Sequence, residues 1–416
     1  MKKKLYLATE RFPYSEDEKT FIQFELEALA RDYDITIIAH ANDGIVKQKG
    51  VAIDLPPKIR VVNCNIELSK IKIILIFFRY VFDIDGWKEI VEICRSHKNI
   101  LFKIYQSLGF YARAMEDWRL LSKKNIFDEE QEFIYYSFWY TYYTYSMTKH
   151  KAIFKNAKII TRTHGFDLYD ERFACGRQPF KKIMDAKLDR IIFACDYAKK
   201  YYENKIDSSD TGRYIVSRIG TKAANTNKNV RKKADNVIVS CSRVVDLKRI
   251  HLIIDALSDW DIGQIEWHHF GDGEEYEKIQ KYAGERLNEN SLVRYHFHGN
   301  THNEDVLKFY ADNEVMCFIT TSETEGGAPV SIQEAMAYGI PIIGTDVGGI
   351  TEMIQGNGIL LKVNPTPGEI RNAIEYIVQN PDIRKRMCEV SVKIWSEEYC
   401  AEKNVQRFIN FIKERV

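Results

Sequence analysis

The chain of 416 residues carries 60 Lys and Arg against 59 Asp and Glu, a formal net charge of +1, with 45% hydrophobic and 29% charged residues. This is ordinary globular usage and long enough for two cores, and the balanced charge argues against nucleic acid or any strongly charged partner. The longest apolar run, Ile71 to Phe82, is interrupted by Lys72 and Arg79 and falls well short of the ~20 residues of a membrane span.

The opening MKKKLYLATERFPYSEDE has a basic start but too short an apolar run for a signal peptide. Eight cysteines are scattered without a CxxC pair, the pattern of reduced, buried thiols, and together these features predict a cytoplasmic protein. Alternating and continuous apolar runs predict a strand at Lys4 to Ala8, a loop ERFPYSEDEKTF, a helix from about Thr20 to Arg31 and a strand at Asp34 to Ala39. Further strands are expected at Arg60 to Cys64, Phe133 to Tyr136, Ala157 to Thr161 and Arg190 to Ala194, with a helical stretch from Ile71 to Lys124. The Ile71 to Phe82 run reads first as a core helix. Its second reading is an amphipathic helix lying on a bilayer with Lys70, Lys72, Arg79 and Lys88 nearby. The tyrosine-rich stretch Ile134 to Met147 reads as helix packing in preference to a sugar-stacking platform.

A polar, basic stretch, Thr221 to Asp235, serves as the expected linker and hinge. Beyond it alternation resumes: VIVSCSR as strand, KRIHLIIDALSDW as helix, IEWHHFG as strand, DGEEYEKIQKYAGERL as helix and VRYHFHG as strand. Such alternation predicts two Rossmann-like α/β halves with parallel sheets and ligand sites at the strand carboxyl ends. No His and Cys cluster shows zinc spacing; His268 and His269 are adjacent and point oppositely from a strand. Asp83 and Asp85 have Asp-x-Asp spacing but follow a helix, outside any phosphate-loop context.

Cys317 to Glu352, CFITTSETEGGAPVSIQEAMAYGIPIIGTDVGGITE, packs strand, glycine loop, helix, strand and second glycine loop into one βαβ unit. Pro329 opens the helix and Gly339 closes it, and the glycine loop before a helix start suits an anionic guest such as a phosphate. Ser331 and Glu334 also have capping-box spacing, which would give Glu334 a purely local role.

This segment resembles the donor-binding signature of the retaining GT-B glycosyltransferases of family 4, the group 1 glycosyltransferases, of bacterial surface-polysaccharide type. The resemblance implies a metal-independent hexosyl transfer from a nucleoside-diphosphate sugar to a glycan or lipid-linked glycan acceptor, with no cofactor. It implies that Glu334 holds the ribose and Glu325 the donor sugar, with Glu323 as substitute. Eight residues separate Glu325 from Glu334, one more than in the family. Gly326, Gly327, Ala328, Pro329 and Val330 would line the donor, together with Gly271 of the GDG turn and Gly299 near the base. Arg243 and Lys248 of SRVVDLKR match the family's diphosphate cations, and preorganised cations there would stabilise charge growing on the leaving phosphate. His164, in IITRTHGFDLYDER, matches the family's histidine beside the donor sugar, facing the cleft between the domains. Asp167, Thr20 and Phe21 are candidate acceptor-side residues.

The loop after the first strand departs from the family, having no glycine where the family has several. The implied organisation is an acceptor-binding domain over residues 1–222, a donor-binding domain over 223–394 and a terminal helix over 395–416 returning to the first domain. The implied setting is the cytoplasm or the inner face of the plasma membrane, with peripheral membrane contact. A sugar-nucleotide epimerase of the same architecture and a non-catalytic nucleotide-sugar-binding protein are the competing readings.

Overall fold

The computed structural model describes residues 2–15, 18–49, 53–96, 98–128, 130–206, 208, 210–222 and 232–416. The chain forms two compact units, Met1–Ser217 together with Val405–Val416, and Arg218–Asn404. Each is built on a parallel sheet of the Rossmann type.

The first unit holds β1 (Lys3–Thr9), β2 (Tyr33–Ala39), β3 (Arg60–Asn63), β4 (Phe133–Ser137), β5 (Ala157–Arg162), β6 (Arg190–Phe193) and β7 (Tyr214–Val216). They pair in parallel in the order β3-β2-β1-β4-β5-β6-β7. Strands such as FIYYS of β4 are buried at every position, as expected when both faces of a parallel sheet are covered by helices. The three-residue β7 carries too little pattern to be read from sequence.

The predicted helical stretch from Ile71 to Lys124 divides into helices Lys70–Phe82, Ile84–Cys94 and Ile100–Lys123. Asp83 causes the first break: its carboxylate caps the next helix, accepting from the N–H of Asp85 at 2.9 Å and of Gly86 at 3.4 Å. Lys149 Nζ lies 2.7 Å from Asp83 and 3.2 Å from Asp85, so this Asp-x-Asp pair is a capping and ion-pairing element.

The core reading of the first of these helices is corrected. Tyr80 is its buried residue, while Ile71, Leu75 and Phe82 are 73%, 65% and 81% exposed. A helix apolar on nearly every side cannot cover all of itself when one face alone meets neighbours. By contrast, Tyr135, Tyr136, Tyr140, Tyr142, Tyr143 and Tyr145 are buried, with Tyr145 stacked on Phe180 at 4.4 Å, which is the packing role.

A buried polar knot closes this unit. Arg162, at the end of β5, donates to Tyr136 Oη at 2.8 Å and to the Ser217 carbonyl at 2.7 Å, and its third arm ion-pairs with Glu25. Phe408 lies under the guanidinium at 5.0 Å.

The second unit holds β8 (Lys232–Cys241), β9 (Ile265–Phe270), β10 (Val293–Phe297), β11 (Asn313–Thr320), β12 (Ile342–Thr345) and β13 (Gly358–Leu361), in the order β10-β9-β8-β11-β12-β13. β8 begins inside the expected linker, where Lys232 pairs through its backbone with Asn313. The rest of that linker, 223–231, lies outside the described residues. The helix expected from Lys248 starts instead at His251, since Arg249 takes a left-handed φ of 47° after a short 3-10 turn. The single terminal helix expected from Trp395 begins as a π-helical turn, Trp395–Tyr399, followed by the helix Ala401–Arg415. Trp395 Nε1 donates to Thr221 Oγ1 at 2.8 Å inside the second unit, and Phe408, Ile409 and Ile412 are buried in the first.

All eight cysteines are free thiols, with Cys94 exposed and Cys64, Cys175, Cys195 and Cys317 buried. Among the described residues no helix is long and apolar enough to cross a membrane. Removing one partner of the Arg162–Glu25 pair strands a buried charge, so Glu25→Ala is expected to lower unfolding free energy by about 3–5 kcal/mol in denaturant titration.

Candidate active site

The strand order of the second unit reverses between β8 and β11, and ligands of open α/β sheets bind at the carboxyl ends of strands at such a switch point. The loops leaving these two strands carry the expected cations and glutamates. Lys248 ends the 3-10 turn Asp246–Lys248 and its ammonium ion-pairs with Glu325, which also accepts from Ser322 Oγ at 2.7 Å. Glu325 is thereby the glutamate in contact with the cation. Glu323 is exposed and uses its N–H on the Leu247 carbonyl at 2.8 Å. Arg243 is exposed, with Glu274 at 3.9 Å.

Glu334 sits one turn into the helix Val330–Ala337, buried, and accepts from Asn303 Nδ2 at 2.8 Å. No side chain caps that helix, so the capping-box reading of Ser331 and Glu334 is set aside. Burial pushes the Glu334 carboxyl from an ordinary 4.5 up to about 7, with the Asn303 hydrogen bond pulling the other way.

The glycines are explained by backbone proximity. A Cβ on Gly348, whose φ is +54°, would meet the Glu325 carbonyl oxygen at 2.0 Å, and one on Gly349 would meet that of Gly327 at 2.5 Å. The second glycine loop therefore packs directly on the loop Glu325 to Pro329, with Gly326 buried and Val330 the first helical residue. A Cβ on Gly271, at φ +130°, would likewise meet the Ser242 carbonyl oxygen at 1.9 Å, and the Gly271 N–H bonds to Gly299 O at 2.9 Å. Ala328 contributes its carbonyl to Gln333 Nε2 at 2.9 Å, and Pro329 stands at the N-cap.

In the first unit, His164 follows β5 with its ring 4.0 Å from that of Trp139 and 6.4 Å from Phe21. Neither ring nitrogen has a hydrogen-bond partner among the described residues. Asp167 is wholly buried and accepts from the N–H of Tyr140 at 2.7 Å and of His164 at 2.6 Å, so it shapes the loop that carries His164. Thr20 belongs to the helix Lys19–Asp32, and its side chain lies outside the described residues.

The family described as Glycosyl transferases group 1 matches residues 221–392, the segment that builds this site. An uncharacterised glycosyltransferase of Methanocaldococcus jannaschii is 30% identical over 277 residues, 62% of this chain and 68% of that protein. The chain belongs to the group 1 glycosyltransferases. The O-antigen biosynthesis glycosyltransferase WbnH of Escherichia coli is 30% identical over 171 residues, 41% of this chain and 46% of that protein. Among solved structures, the lipopolysaccharide outer core galactosyltransferase WaaB superposes with a TM-score of 0.69 at 15% identity, covering 99% of this chain and 100% of that one. HepE of Anabaena in complex with UDP gives 0.64 at 14%, covering 99% of each. The fold is that of the GT-B glycosyltransferases.

Two residues of this glycosyltransferase escaped the sequence reading. Arg249 donates to the carbonyls of Thr321 at 2.7 Å, Ser322 at 3.0 Å and Val363 at 2.7 Å, and so locks the Lys248 turn to the Glu325 loop. Its place beside Lys248 was the available signal. Glu18 explains the loop without glycine after β1. Its carboxylate accepts from the N–H groups of Glu10 at 3.3 Å, Arg11 at 2.6 Å and Phe12 at 2.6 Å and from the Trp139 indole, so the loop is organised around an acid of its own.

Glu334 binds its proton more tightly folded than unfolded, so its contribution to stability is greatest below pH 4.5 and is lost as pH rises towards 7. Glu334→Gln keeps an acceptor for Asn303 and removes that slope. The difference between the two proteins' unfolding free energies should change by about 3 kcal/mol across this window in denaturant titrations at stepped pH.

Proposed function

We propose that this glycosyltransferase moves a sugar from a nucleoside-diphosphate donor to a glycan or lipid-linked glycan, with retention and without a required metal ion, in surface-polysaccharide assembly. The observation that carries the reading is the Lys248–Glu325 ion pair between the loops leaving β8 and β11, with the buried Glu334 one turn into the helix that follows. Arg243 and Lys248 supply positive charge for the diphosphate, which is the work a metal would otherwise do. Glu334 accepts from the ribose hydroxyls, and Glu325 exchanges its hold on Lys248 for the donor sugar.

As the bond from the anomeric carbon to the phosphate oxygen breaks, the electron pair stays on the diphosphate. The acceptor hydroxyl oxygen attacks the same face, and its proton passes to the departing phosphate oxygen, which Lys248 steadies. We assign a sugar hydroxyl to His164, whose Nδ1 stands 3.9 Å from the Asp167 carboxylate and whose Nε2 has no hydrogen-bond partner among the described residues. The polysaccharide setting draws support from relatives named for O-antigen and lipopolysaccharide synthesis.

Calorimetric titration with uridine, guanosine and adenosine diphosphates, with chelator present, is expected to show micromolar binding of one of them. Lys248→Ala should weaken it and lower kcat by about 100-fold or more. Binding to none of the three would sink the donor assignment.

Peripheral membrane contact is favoured by one observation, the exposed apolar face of the helix Lys70–Phe82. Ile74 and Phe78 are each 58% exposed, and Leu101 nearby in sequence is 84% exposed. Lys70 and Arg79 of that helix and Lys88 of the next are exposed as well, and such cations suit an anionic bilayer surface. Vesicles containing phosphatidylglycerol should sediment the protein, phosphatidylcholine vesicles should do so far less, and the Leu75→Asp, Phe78→Asp variant should stay in the supernatant. Equal recovery of wild type and variant would refute the contact.

A further inference from the structure

On the edge of the second unit's sheet, β9 and β10 run parallel with His268 paired to His296 and Glu266 to Arg294. Because strand side chains alternate, Glu266, His268 and His296 stand on one face. Glu266 Oε1 is 3.2 Å from His268 Nε2 and 2.9 Å from His296 Nε2, and the donor atoms of all three residues lie within 4.8 Å of one another. Two ligands each ~2.1 Å from a tetrahedral ion lie about 3.4 Å apart, close to the spacing already present.

The arrangement also has the outer support that metal-binding imidazoles use. His268 Nδ1 lies 2.9 Å from His298 Nε2, so a ligating Nε2 would be oriented by a hydrogen bond from the opposite ring nitrogen. The His268 ring is flanked by His296 at 4.7 Å, by His298 at 5.2 Å and by Phe309 at 4.5 Å. Arg294 reaches Glu266 Oε2 at 3.6 Å, partnering the carboxylate oxygen opposite the one the imidazoles share. His268 is buried, Glu266 half-buried and His296 exposed, which leaves an open side for water.

We propose that Glu266, His268 and His296 form a binding site for a zinc-class divalent ion, completed by water and separate from the chemistry at Lys248 and Glu325. Two imidazoles and one carboxylate suit zinc, cobalt or nickel and do not suit magnesium, which prefers all-oxygen sites. The ion would bolt the edge strand β10 to β9. The loop after β10 leads through Gly299 to Asn303, the partner of Glu334. The site therefore braces one wall of the ribose end without entering the reaction.

The test is calorimetric titration of zinc chloride into the chelator-treated full chain, repeated with magnesium chloride, and cobalt(II) absorption spectroscopy of the same protein. One zinc should bind at micromolar concentration or tighter, magnesium should not, and cobalt should give a visible ligand-field band without a thiolate charge-transfer band. His296→Ala, at an exposed position, should weaken zinc about 100-fold or more, and His298→Ala about tenfold, with unchanged circular dichroism. The free thiols are the competing ligands, so Cys94→Ser should leave binding intact. Absence of zinc binding, a thiolate band, or zinc affinity unchanged in His296→Ala would each overturn the proposal.

Discussion

Arg249 is the constraint on which the geometry of the site depends. A single guanidinium, held by a left-handed backbone, gathers carbonyl oxygens from the ends of β11 and β13 while its own chain segment leaves β8. Each carbonyl lies at a strand end, where the sheet ladder no longer satisfies it, and a charged donor in a planar fork is well suited to the task. With the loops fastened, Lys248 and Glu325 meet as a consequence of the framework. The ion pair with Glu325 and the 3-10 turn hold the Lys248 ammonium in one place.

Much of the fold was legible because parallel strands buried on both faces leave apolar runs that stand out against polar loops. β1, β4, β5, β9 and β11 all declared themselves in this way. The candidate site was legible because Glu325, Gly326, Gly327 and Glu334 sit close together along the chain and Arg243 and Lys248 form a second short motif. What stayed hidden has a common cause. Whether the helix Lys70–Phe82 is covered depends on its neighbours, and the meeting of His296 with Glu266 depends on strand register. A capping role for Asp83 and the fastening by Arg249 depend on backbone angles that residue type does not announce.

The loop after β1 shows one physical requirement met in two ways. Consecutive backbone N–H groups that turn inward form a nest for an anion, and glycines let an external anion come close. In this chain Glu18 fills the nest from within and engages the Trp139 indole, and Trp139 in turn lies against the His164 ring, tilted at 48°. The absence of glycine thus accompanies an internal counter-charge.

The division of the chain between the units bears on the order in which it becomes native during synthesis. The first unit counts Val405–Val416 among its own, and Phe408 lies beneath Arg162 in its buried knot. Residues 218–404 must therefore leave the ribosome before the amino-terminal half can complete its core. Domains generally fold as units in the order they emerge, so here the continuous second unit can reach its final packing before the discontinuous first one.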